Sequence, residues 1–115
     1  MRNALRITLI TSLLLICYSR QIIADGCGSY CVAKPEASDE LIQKALDYCC
    51  GKKPEICDDI QTGKPCFVPG DLRATASYVF DSWFKANVGC DFEGAATIVS
   101  NDPSHGDCKY KCKNG

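Results

Sequence analysis

Nine of the ten cysteines in this 115-residue chain fall after position 24. Cysteine at that density restricts so short a chain to a cross-linked scaffold made in an oxidising compartment. The segment ahead of them agrees. Residues 1–24 read as a secretory signal peptide, with Arg2 and Arg6 as a basic start, residues 9–17 as an apolar stretch, and Ala24 as a small residue before the cut. The apolar stretch is shorter than the ~20 residues a spanning helix needs. No later segment is apolar enough either, so membrane insertion is not expected.

The mature chain is then residues 25–115, one domain of 91 residues once 24 are removed from 115. A domain of that size has a modest core and gains most from covalent staples. The leader holds three of the thirteen basic residues and none of the fourteen acidic ones, which leaves a mature charge of −4. A mildly acidic domain with scattered lysines argues against nucleic acid or anionic membrane as partners. The chain lacks a hydrophobic C-terminal tail, so no GPI anchor signal is expected.

Two helices are legible. Residues 38–50 carry Leu41, Ala45 and Cys49 at i, i+4, i+8, flanked by Ile42 and Leu46. Ser38 or Asp39 can cap this helix, and Gly51 is expected to end it. Residues 52–67 read as a loop held by Cys57 and Cys66. A turn at 69–71 leads into a second helix over 72–87, with Asp71 as its cap. At 100° per residue, Ala76, Val79 and Trp83 share a stripe with Leu72, and Phe80 lies at its edge. Tyr78, Asp81 and Lys85 fall on the opposite side, with Phe84 on a flank. Residues 95–100 suit a short strand because three β-branched side chains fall together. The turn at 101–106 is polar. The sum is a small disulfide-rich α+β fold.

These residues also resemble a family. Tyr30 and Cys31, the Ala45 to Cys50 run, Pro65-Cys66-Phe67, Leu72-Arg73-Ala74, Ala76-Ser77-Tyr78, Cys90-Asp91-Phe92, Asp102 to Gly106 and Cys108-Lys109-Tyr110 are similar to the plant X8 module, carbohydrate-binding module family 43. X8 occurs at the C-terminus of plant β-1,3-glucanases and alone in callose-binding and pollen proteins. The resemblance spans about residues 30–110. It implies two packed helices with a small antiparallel sheet, and the disulfides Cys31–Cys90, Cys50–Cys57 and Cys66–Cys108. Six cysteines alone would allow 15 pairings. Three departures stand out. Tyr30 replaces the tryptophan usual in the family, Cys27, Cys49 and Cys112 are additional, and the anchor of familiar members is not expected. Cys27 and Cys112 flank the family region and are expected to pair. Cys49 is expected to be a buried thiol, leaving a monomer. Exposed instead, it would offer an intermolecular disulfide.

The resemblance implies a secreted, non-catalytic binder of β-1,3-glucan in the plant cell wall. Such a site needs aromatic faces for the sugar ring and polar partners for its hydroxyls. Trp83, Phe80 and Phe92 are assigned to the core. Tyr78, Phe67 and Tyr110 are grouped as a platform, because a Cys66–Cys108 bridge would gather them. Tyr30 and Phe84 are secondary candidates, and Arg73, Asp81 and Lys85 are candidate polar contacts. Catalysis finds little support. His105 is the single histidine, and no nucleophile elbow, phosphate loop or zinc pattern is present, so no cofactor or metal is expected. The alternative is a cysteine-rich defence or recognition protein on the same scaffold with the sugar site lost.

Overall fold

The computed structural model describes residues 28–86 and 89–112. The leader and Cys27 lie outside them. Helix α1 spans Asp39–Lys52, and the Ser38 side chain caps it by accepting from the Leu41 N–H. Asp39 and Glu40 occupy its positive end. The helix does not stop at Gly51. It continues to Lys52, where the extended Lys53 and Pro54 end it. Proline excludes α geometry from the residue before it, and this is a stronger stop than an exposed glycine. The glycines, prolines and charges of residues 52–67 suggest a loop, yet Pro54–Ile60 forms a 3-10 helix. The Cys50–Cys57 disulfide holds it against α1, and the Gln61 side chain closes its end by donating to the Cys57 carbonyl.

Helix α2 spans Leu72–Ala86, and Asp71 caps it by accepting from the Ala74 N–H. Strand β1, Tyr30–Ala33, pairs antiparallel with β2, Ala96–Val99, so that Tyr30 lies opposite Val99 and Ala33 opposite Ala96. A second 3-10 turn, Phe92–Gly94, precedes β2. No helix among the described residues is long and apolar enough to cross a membrane.

The main core lies between the helices. Ile42, Ala45, Leu46 and Cys49 of α1 meet Ala76, Val79 and Phe80 of α2, with Cys31, Ala33 and Ala96 closing one side. A smaller cluster gathers Tyr30, Tyr78 and Tyr110 around Cys66 and Cys108. Helix α2 serves both clusters. All seven residues from Thr75 to Asp81 are therefore buried, where a one-sided stripe was expected.

The polar side of α2 is buried because it completes the sheet. Residues 30, 32 and 34 face β2, as the Lys34 N–H shows by donating to the Ala95 carbonyl. The N–H groups of Cys31 and Ala33 point the other way. Cys31 donates to Asp81 Oδ1 at 2.9 Å, and Ala33 donates to Ser77 Oγ at 2.8 Å. Four helical residues rise about 6 Å and two strand residues about 6.6 Å, so an i, i+4 pair on the helix matches an i, i+2 pair on the strand. Lys85 Nζ donates to Asp81 Oδ2 at 2.6 Å and lies 4.2 Å from the centre of the Tyr30 ring.

Three disulfides join Cys31–Cys90, Cys50–Cys57 and Cys66–Cys108, across separations of 59, 7 and 42 residues. These are the pairs the family resemblance implies. In the chain-entropy model they stabilise by about 4, 2 and 4 kcal/mol. Cys112 is also disulfide-bonded, and its expected partner Cys27 lies outside the described residues. Cys49 is unpaired and wholly buried.

Two predictions follow from this packing. Asp81→Ala strands the Cys31 N–H and the Lys85 ammonium, and should cost about 3 kcal/mol in chemical denaturation with disulfides intact. Asp81→Asn keeps an acceptor for Cys31 and should cost clearly less. Burial also pushes the Cys49 thiol up to about 11. Iodoacetamide at pH 8 should leave Cys49 unmodified in the folded protein and label it once denaturant is added, as read by peptide mass.

Candidate functional site

Helix α2 carries Arg73, Ser77, Asp81 and Lys85 along one line at i, i+4 spacing, next to Tyr78. The structure shows what each of these groups does. Arg73 Nη1 donates to Asp39 Oδ1, and Nη2 donates to the Ala37 carbonyl, which ties α2 to the start of α1. Asp81 is enclosed, and both its oxygens are occupied. Burial pushes its carboxyl above the ordinary range, opposed by hydrogen bonds from Lys85 and the Cys31 N–H. Asp81 and Lys85 thus hold the fold and are not available to a ligand's hydroxyls.

The grouped tyrosines do meet. Tyr110 lies 5.4 Å from Tyr78 and 6.3 Å from Tyr30, edge to face in both cases. They do not form an open platform. Tyr78, Tyr110 and Tyr30 are 7%, 9% and 4% exposed, because their rings cover one another and the Cys66–Cys108 bridge. The Tyr78 hydroxyl donates to Asp59 Oδ2 at 2.8 Å. Burial, and after it the Asp102 carboxylate, push the Tyr30 phenol up. Phe67 is separate. It faces a different groove, beside Gln43, Leu46 and Ile60. Phe84 is half-buried against the main core. The disulfide does gather Tyr78 and Tyr110, but in a domain this small the gathering place is a second core.

An aromatic surface exists on another face. Tyr48, near the end of α1, is 52% exposed. Its ring centre lies 5.7 Å from that of Trp83, which lies 6.2 Å from Phe92. Phe92 stacks on the buried Phe80 at 4.8 Å, so the row is rooted in the core. Trp83 and Phe92, assigned to the core from sequence, are half-buried at its edge. Leu41, Lys44, Ala45, Tyr48, Phe92 and Glu93 line a shallow cleft of about 320 Å³. Phe92 and Glu93 both hold positive φ, at 50° and 57°. Two successive non-glycine residues in that region are strained, and such strain concentrates at functional sites. The Gly94 and Ala96 N–H groups, both donating to the Asp91 carbonyl, hold the turn, while the Cys31–Cys90 bridge ties its approach to β1.

Sequence reasoning gave Tyr48 no role. The signal was its phase: Tyr48 lies about 110° from the middle of the buried stripe of α1, at the margin between core and solvent. A large aromatic ring at such a margin is half-supported and half-open.

The chain matches the X8 domain over residues 29–97 and belongs to that family of carbohydrate-binding modules. It is 43% identical over 89 residues to a glucan endo-1,3-beta-glucosidase of Triticum aestivum, covering 74% of this chain and 19% of the enzyme. It is 39% identical over 89 residues to the major pollen allergen Ole e 10 of Olea europaea, covering 74% of this chain and 72% of the allergen. It is 38% identical over 90 residues to plasmodesmata callose-binding protein 5 of Arabidopsis thaliana, covering 75% of this chain and 50% of that protein. The chain therefore spans under a fifth of the wheat enzyme. No solved structure matches it.

The buried Tyr78 phenol makes the fold sensitive to high pH. Burial and the Asp59 hydrogen bond push the Tyr78 phenol up to about 12, from 10.0. Below pH 10 both folded and unfolded chains keep this proton, and the stabilisation is complete. Between 10 and 12 only the folded chain keeps it, so stability falls as pH rises. Denaturation series across that window should show the loss, and Tyr78→Phe should make it shallower.

Proposed function

We propose that the protein is a secreted, non-catalytic module that binds β-1,3-glucan of the callose type in the plant cell wall. One observation carries this reading. The same X8 module is shared with a relative named for callose binding and with relatives named as glucan endo-1,3-beta-glucosidases, and callose is a β-1,3-glucan. The cross-linked scaffold and the leader-like N-terminus support secretion. The mechanism is stacking of glucose rings on aromatic side chains, with hydrogen bonds to the hydroxyls. A shallow surface buries little of the polymer, so the affinity per site is modest and grows with the number of rings engaged. The enclosed carboxylate, Asp81, is committed to Cys31 and Lys85, which leaves it to structure and not to acid–base chemistry.

The test is retention of the oxidised protein on insoluble β-1,3-glucan, with cellulose, xylan and chitin alongside. Selective retention on β-1,3-glucan is expected. Equal retention on all four, or none on the first, would overturn the reading.

A further inference from the structure

We infer that the glucan ring stacks on Tyr48, on the face built from Tyr48, Trp83 and Phe92, and not on the Tyr78–Tyr110 cluster. This inference rests on the glucan-binding reading and locates its site.

Four observations on one face converge. The first is exposure. Tyr48 and Ile98 are the two large hydrophobic residues left exposed among the described residues, and only Tyr48 is aromatic. A pyranose ring presents axial C–H bonds to an aromatic π-face, so Tyr48 offers what the buried tyrosines cannot. The second is rigidity. Trp83 and Phe92 back the ring in a row that ends on the fully buried Phe80, so little order is lost when a ligand settles.

The third is the rim. Lys44 and Glu93 stand 3.7 Å apart beside the cleft, and the Lys52 ammonium is 5.8 Å from the Tyr48 ring centre. Lys44 and Glu93 cancel in charge while supplying donors and acceptors. That suits a neutral, hydroxyl-rich polymer better than an ionic partner. Lys52 sits over the Tyr48 ring on an exposed, flexible stem, so a sugar stacking on that face displaces it and the freed ammonium can turn to a hydroxyl. The fourth is the strained turn. Positive φ at Phe92 and Glu93 turns one side chain beneath the cleft and the other to its rim. The same turn seats Phe92 on the buried Phe80 and leaves Glu93 exposed at the cleft.

The chain holds one tryptophan, Trp83, and it touches Tyr48. Its emission therefore reports on this face. The experiment titrates the oxidised protein with a soluble β-1,3-linked glucose hexasaccharide while Trp83 emission is read. Parallel titrations use β-1,4-linked glucose, xylose and N-acetylglucosamine oligosaccharides. Tyr48→Ala, Tyr48→Phe and Tyr110→Phe are compared by emission and by retention on insoluble β-1,3-glucan. A saturable emission change with the β-1,3 hexasaccharide is expected. Tyr48→Ala should weaken binding about tenfold, while Tyr48→Phe keeps the ring and binds as the parent does. Tyr110→Phe should not change it. Retention on β-1,3-glucan with unmoved Trp83 emission and an unaffected Tyr48→Ala would overturn this face and leave the glucan reading standing. No response to β-1,3 glucose but a saturable, Tyr48-dependent response to another sugar would uphold the face and overturn the glucan reading. Silence with every sugar together with no retention on insoluble β-1,3-glucan would overturn both.

Discussion

The second edge of β1, buried and without a partner strand, is the problem around which the rest of this structure is arranged. A two-stranded sheet leaves each strand with an unpaired edge, and a buried edge cannot leave its N–H groups to water. Here Cys31 and Ala33 donate into α2, to Asp81 and Ser77. The helix thus stands where a third strand would lie. Asp81 is enclosed to do this, and burial of its charge is offset by Lys85 and the Cys31 N–H. Arg73 extends the same line to the Ala37 carbonyl and Asp39. One polar line on one helix therefore fixes β1 and the entry to α1.

That arrangement decides what remains for a ligand. With its polar side committed to β1 and its apolar side to α1, α2 has almost no free face along its middle. Tyr78 is next to the polar line and is drawn into the second core with Tyr30 and Tyr110. The aromatic surface that survives lies where α2 runs out, at Trp83, and where α1 turns Tyr48 outward. That aromatic margin lies at the edge of the main core, where Trp83 and Phe92 pack against it. The disulfides make that margin rigid by closing long loops, above all the 59-residue span from Cys31 to Cys90, beside the strained Phe92–Glu93 turn.

Family membership and the local geometry carry different parts of the functional argument. The family supplies the class of molecule, a carbohydrate-binding module related to proteins named for callose and β-1,3-glucan. The geometry supplies the place. Tyr30, where a tryptophan is usual, is packed under Lys85 and against Tyr110, so the change falls in the second core and not on the exposed aromatic face.

The sequence by itself determined the helices, the second strand and the class. Caps at Ser38 and Asp71, apolar spacing at Ile42, Ala45, Leu46 and Cys49, and β-branched residues in β2 are local signals, and local backbone physics obeys them. Strand β1, four residues long, was not legible as a strand, because its partners are a distant strand and two helix side chains. Nor was the inward turn of Tyr78, Tyr110 and Asp81. Helical phase shows which side of α2 they share, but not that another part of the chain covers that side. Only the tertiary structure decided which aromatic residues are buried in the core and which, at Tyr48, are left exposed. Burial is set by neighbours far apart in sequence, and one helix's periodicity holds no record of them.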